Sequence, residues 1–128
     1  MEIIAIPSYR EGGLNEIFHP KFGRCDSFTF ITIDNNEITQ VTVIENSAAD
    51  ESRSAGTLAA KIIKNNEAEK LIVSKLGPNA SMALDSLKIN TFQAPERKIL
   101  VKDLLDLYLK GKLKLTPSED LITDKLMK

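Results

Sequence analysis

The sequence predicts an α/β protein built on a mixed five-stranded sheet flanked by helices, and three features of its 128 residues carry that prediction. Two β-branched and aromatic runs, "SFTFITID" and "ITQVTVIE", stand either side of the polar link "NNE", the spelling of an antiparallel hairpin. Downstream, short apolar runs alternate with segments whose apolar residues recur at helical spacing, as β-α steps with right-handed crossovers require. Glycine and proline punctuate the changes of period.

The elements follow in order. "EIIAIP" (2–7) is a short apolar run closed by a proline, too brief to propagate a helix, so it reads as a strand. "SYREGGLNEIFHPKFGRCD" (8–26) has paired glycines, a proline and no sustained period; it reads as a long loop, a type of segment that is often functional. The hairpin occupies 27–34 and 38–45, its asparagines suited to the left-handed conformations of a tight turn. Ala55, Leu58, Ala59 and Ile62 then share one helix face, with Ser54 as N-cap and Asn65-Asn66 at the end. "KLIVS" (70–74) is a buried strand. "LGPN" turns the chain into a second helix that opens on Pro78 and aligns Ala80, Ala83, Leu84 and Leu87. "INTFQ" (89–93) is the fifth strand. After "APERK", Val101, Leu104, Leu105 and Tyr108 face inward on a third helix stopped by Gly111.

This order, βββαβαβα, fills residues 1–112 as one domain. Thr116-Pro117-Ser118-Glu119 spells a capping box, so 113–128 is expected to be an extension carrying a short C-terminal helix that either docks or frays.

Apolar residues at 42% and charged residues at 27% suit a globular chain that folds alone. A net charge of -1 removes the strongest argument for a nucleic-acid or membrane-surface protein, so any charged ligand must be held locally. One cysteine cannot form an internal disulfide, and the sequence opens on a strand-like run instead of a leader, which places the protein in the cytoplasm.

In a mixed sheet of this kind, ligands sit beyond the carboxyl ends of the parallel strands, where helix N-termini point. Two loops occupy that position: "ESRSAG" before the first helix and "KLGPNA" before the second. Gly56 and Gly77 permit close backbone approach, and the free N–H groups at each helix start favour an anion. The same letters also spell an ordinary strand-to-helix turn. Arg24, fixed after Gly23, can face an anion with several donors, with Lys21 and Arg53 adding field; alternatively these are solvated surface charges.

His19 and Cys25, the single histidine and single cysteine, are separated by five residues. A closed zinc site needs four ligands, so the pair is either one edge of a metal or cluster site completed by the guest or a second subunit, or a loop histidine beside a packed cysteine. Completion by a second subunit would make the protein a homodimer. No Ser-His-Asp set, Walker loop or two-histidine helix is present, and Glu2, Asp34 and Glu45 read as strand termini, not as a nuclease site. No enzyme chemistry is expected.

"IAIPSYREGGL", "FGRCDSFTFITID", "VIEN", "AGTLAAKII" and above all "LGPNASMAL" followed by "LKI" resemble the dinitrogenase iron-molybdenum cofactor domain family over about residues 1–112. The resemblance implies a ribonuclease H-like fold without that enzyme's activity. It also implies binding of an iron-sulfur or iron-molybdenum type metallocluster or precursor, exchanged with donor and acceptor proteins and held by Phe22, Gly23, Arg24, Ser54, Gly56, Gly77, Pro78 and Asn79, with His19 and Cys25 as metal ligands. Such clusters are anionic, which agrees with the two loops. The sequence departs from the family in having Lys21 and Phe22 where many relatives place a histidine before "FGR", and Ser74 where many have glycine. The alternative function is a non-enzymatic regulatory or interaction module for a phosphate-bearing small molecule or a protein partner.

Overall fold

A computed structural model of the chain describes residues 1–51 and 54–122. Among these, six strands form one sheet: β1 (Glu2–Ser8), β2 (Ser27–Asp34), β3 (Glu37–Glu45), β4 (Lys70–Val73), β5 (Asn90–Gln93) and β6 (Lys114–Leu115). Three helices, α1 (Ala55–Asn65), α2 (Pro78–Ser86) and α3 (Val101–Leu109), follow β3, β4 and β5. Strand order is β3-β2-β1-β4-β5-β6. The β1–β2, β2–β3 and β5–β6 pairs are antiparallel, and β4 runs parallel to both β1 and β5.

The strands alternate cleanly between two cores, because successive side chains point to opposite faces. Phe28, Phe30, Leu71 and Val73 pack with Ile63 and Leu84 from α1 and α2. Ile4, Ile6, Ile31 and Ile72 pack on the other face with Val101, Leu104 and Leu105 from α3. Full burial of each such side chain contributes about 1.5–3 kcal/mol. The hairpin turns through Asn35 and Asn36, both at positive φ, as the sequence predicts. No helix among the described residues is long and apolar enough to cross a membrane.

The structure corrects the sequence reading at four points. The sheet has six strands instead of five, because Lys114–Leu115 pairs with Phe92 and Gln93; two residues are too few to show a period. The capping box is absent: Thr116 Oγ1 donates to the Lys114 carbonyl, and the chain makes a 3-10 turn over Ser118–Leu121. Ser118 Oγ lies 2.9 Å from Ser81 Oγ, and Leu76 N–H donates to the Leu121 carbonyl, so this segment docks on α2. The rest of the expected helix, 123–128, lies outside the described residues, as does Arg53. On α1 the expected Ala55 and Ala59 are buried, but Ala60 and Ile63 are buried with them while Leu58 and Ile62 are only partly buried against the same core. Ser54 occupies the N-cap position of that helix, as expected, but its side chain makes no cap bond.

The 9–26 excursion is tied to the sheet. Gly12 has φ +69, and a Cβ there would stand 2.8 Å from Val43 Cγ1, so only glycine fits. Gly13 N–H donates to Thr29 Oγ1, which belongs to a buried hydroxyl cluster with Ser8 and Ser27. Phe22–Arg24 forms a 3-10 turn further on.

Candidate functional site

Beyond the carboxyl ends of β1, β4 and β5 the chain encloses a cleft of about 1080 Å³. Tyr9 and Arg10 border it after β1, the Pro20–Arg24 segment forms one wall, Ser74–Ala80 forms the floor, and Pro95–Lys98 forms the opposite wall. A parallel bridge between Lys21 and Lys75 joins the first wall to the floor, and Ala94 N–H donates to the Val73 carbonyl to fix the other side. This is the position that parallel strand ends and helix starts reserve for ligands.

Seven of the residues expected from the sequence line the cleft together: Phe22, Gly23, Arg24, Gly56, Gly77, Pro78 and Asn79. Their reasons for being there differ. A Cβ on Gly56 would lie 2.7 Å from Ala80 Cβ, so this glycine serves the contact between α1 and α2 before any ligand. A Cβ on Gly77 would meet nothing within 4 Å, leaving the α2 start open to the cleft. Arg24 is not a free fork: Nη1 donates to the carbonyls of Ala49, at 2.6 Å, and Glu51. Its guanidinium thereby staples the cleft wall to the turn that leads into α1. Asn46 completes that brace, donating from Nδ2 to the carbonyls of Gly23 and Cys25.

Ser54, His19 and Cys25 are not among the lining residues. Cys25 is 0% exposed and belongs to the core with Phe22 and Phe28. Its Sγ–H donates to the Phe22 carbonyl at 3.3 Å, and burial pushes the thiol up to about 12. A protonated sulfur sealed in the core is no thiolate ligand, which corrects the sequence expectation. His19 is half-buried against the Tyr9 ring, 4.2 Å between centroids, and burial lowers its pKa. Its Nδ1 accepts the Lys21 N–H, which fixes the neutral proton on Nε2 and leaves neither nitrogen poised to ligate. No group of three or more His, Cys, Asp or Glu among the described residues can hold a metal ion.

The state of Cys25 is directly measurable. Native protein at pH 8 should resist alkylation by iodoacetamide under conditions that fully label the unfolded chain; rapid native labelling would show that the sulfur reaches solvent. Because the folded pKa of about 12 exceeds the ordinary 9.0, the thiol's contribution to stability is complete below pH 9 and is lost as pH rises toward 12.

Arg10, Arg97 and Lys98, which the sequence did not single out, complete the site together with Lys75 of the "KLGPNA" loop and Ser74, noted from the sequence only as a departure from the family. Among the described residues, six basic ones (Arg10, Lys21, Arg24, Lys75, Arg97, Lys98) line the cleft with one acid, Glu96, in a chain whose net charge is -1. Arg10 is paired with Glu16 at 2.7 Å, and Lys75 is 3.9 Å from Glu96 in an exposed contact of small energetic weight. Among the described residues, Lys21, Arg97 and Lys98 have no ion pair. The signal available in the sequence was "APERK", a charged turn at the end of the last parallel strand.

Fold and cleft define a class: a small mixed-sheet α/β protein with an electropositive cleft at the carboxyl ends of its parallel strands. Within it, the chain belongs to the dinitrogenase iron-molybdenum cofactor family, whose model matches residues 2–111. It is 34% identical over 99 residues to an uncharacterized protein of Methanocaldococcus jannaschii, covering 77% of this chain and 82% of that one. Its fold is similar to that of the apo form of the orange protein from Desulfovibrio gigas, with a TM-score of 0.80, 26% identity, and coverage of 91% and 93% of the two chains. A Thermotoga protein solved by NMR shares the fold at 24% identity, with a TM-score of 0.75 and coverage of 90% and 93%.

Proposed function

We propose that the cleft is the seat of an anionic metal–sulfur guest of the iron-sulfur or iron-molybdenum type, whole or as a precursor, which this cytoplasmic protein carries between donor and acceptor proteins without turnover. The observation that carries the reading is the concentration, among the described residues, of six basic residues against one acid around a cleft that also receives the starts of α1 and α2. Helix N-termini and guanidinium groups attract anions through oriented N–H groups, and the gain is largest where water is partly excluded. The lining residues include no thiolate or imidazole, so the guest is held by charge and hydrogen bonds around its periphery, not by coordination to the protein.

The ribonuclease H-like reading of the fold belongs to the same proposal. It is supported by three antiparallel strands leading into two parallel ones in the order β3-β2-β1-β4-β5, with β6 added at the far edge.

The same donor set favours a second reading, a regulatory module for a phosphate-bearing small molecule, since a cleft without soft ligands suits any compact anion. Anoxic calorimetric titration separates the two. Tetrathiomolybdate is expected to give a saturable one-to-one complex that survives desalting, with ATP and inorganic phosphate binding more weakly at equal ionic strength. Tighter binding of the phosphates would favour the second reading, and binding of none of the three would overturn both.

A further inference from the structure

Ser74, the first residue after β4, sits on the cleft floor between the two basic walls. Its residue surface is 6% exposed, yet its hydroxyl forms no hydrogen bond with any described residue. That sets it apart from every other buried polar side chain among the described residues. Ser8, Ser27 and Thr29 bond to one another; Ser81 bonds to Ser118, Thr91 to the Thr116 carbonyl, Thr116 to the Lys114 carbonyl, and Asn46 to Gly23 and Cys25. No fully enclosed side-chain oxygen or nitrogen among the described residues lacks a partner, so the Ser74 oxygen keeps its access through the cleft it lines. An accessible hydroxyl with no protein partner bonds to solvent until a ligand in the cleft takes the solvent's place.

The surroundings indicate what would. Lys75 follows directly, with Lys21 bridged to it, and Gly77 opens the α2 start three residues on. An anion resting on those donors would present an acceptor atom to the Ser74 hydroxyl.

We propose that Ser74 donates a hydrogen bond to a terminal oxygen of an oxygen-bearing molybdenum precursor of the guest, adding affinity that the all-sulfur counterpart does not gain. The inference rests on the anion-binding reading of the cleft. Its chemical basis is that O–H···O⁻ bonds are short and strong, whereas sulfur accepts weakly.

Molybdate and tetrathiomolybdate test it, because both are tetrahedral dianions and differ in the acceptor atom. Each is titrated calorimetrically into the parent and into Ser74→Ala, with a thermal melt confirming that the variant folds. The expected result is about a tenfold loss of molybdate affinity, with tetrathiomolybdate changing by less than about threefold. As a charge control, the Arg97→Glu, Lys98→Glu double variant should weaken both anions alike. Equal changes for the two anions in Ser74→Ala, or none, would overturn the Ser74 assignment and leave the cleft reading intact. A parent that binds tetrathiomolybdate but not molybdate would overturn the Ser74 assignment alone, and a parent that binds neither would overturn the metal–sulfur reading of the cleft with it.

Discussion

Reversing two charges on one wall of the cleft, Arg97→Glu together with Lys98→Glu, is expected to lower affinity for tetrathiomolybdate by about a hundredfold at low salt, since charge-assisted contacts are worth about 1.5–3 kcal/mol each and reversal adds repulsion. Neither side chain has an ion pair among the described residues, so their removal leaves no described carboxylate stranded. Both residues are exposed, and the cost to folding should stay within about 0.5 kcal/mol. The binding defect should shrink as salt rises, because the Debye length falls from about 10 Å at 0.1 M to about 3 Å at 1 M. Unchanged affinity at low salt would show that this wall does not face the guest.

Gly56→Val is expected to destabilise the fold by about 3 kcal/mol or more, which for a chain of this size corresponds to a fall of roughly 10 °C or more in Tm. The first atom added already collides: a Cβ at this position lies 2.7 Å from Ala80 Cβ and 3.1 Å from Ala80 Cα. Replacing glycine in a helix gains at most about 1 kcal/mol of propensity, less near the end of the helix, so the collision decides the sign. The two branch methyls must then push α1 away from α2 or from Gly23, whose own missing Cβ is taken up by Gly56 N at 3.1 Å. Gly77→Ala is the control. Its φ of -82° is open to any residue and its Cβ meets nothing, so Tm should hold while the methyl narrows the mouth of the cleft. Equal melting of Gly56→Val and the parent would mean that the two helices are not packed this closely.

The two glycines show where reading letters stops. The sequence points to both for the same reason, backbone approach to a ligand at a helix start. One faces open space and the other faces a neighbouring helix, a difference fixed by residue 80, which lies 24 positions from Gly56. Arg24 repeats the lesson. Its place in the wall was visible from "FGR", but its bonds to Ala49 and Glu51 come from a turn after β3 that spacing cannot bring into contact. His19 and Cys25 are close in sequence, yet one ring stacks on Tyr9 outside the cleft lining and the other side chain enters the core.

By itself the sequence determined the alternation of strand and helix, the Asn35-Asn36 hairpin, the "KLGPNA" loop at the carboxyl end of a parallel strand, and the family, because each depends on local periodicity, turn chemistry or a contiguous motif. Tertiary structure alone decided the sixth strand, the sealing of Cys25, the basic wall at Arg97 and Lys98, and the Ser74 hydroxyl that has no partner among the described residues. Those depend on which distant segments meet, and burial, charge density and hydrogen-bond satisfaction are properties of that meeting, not of any single stretch of chain.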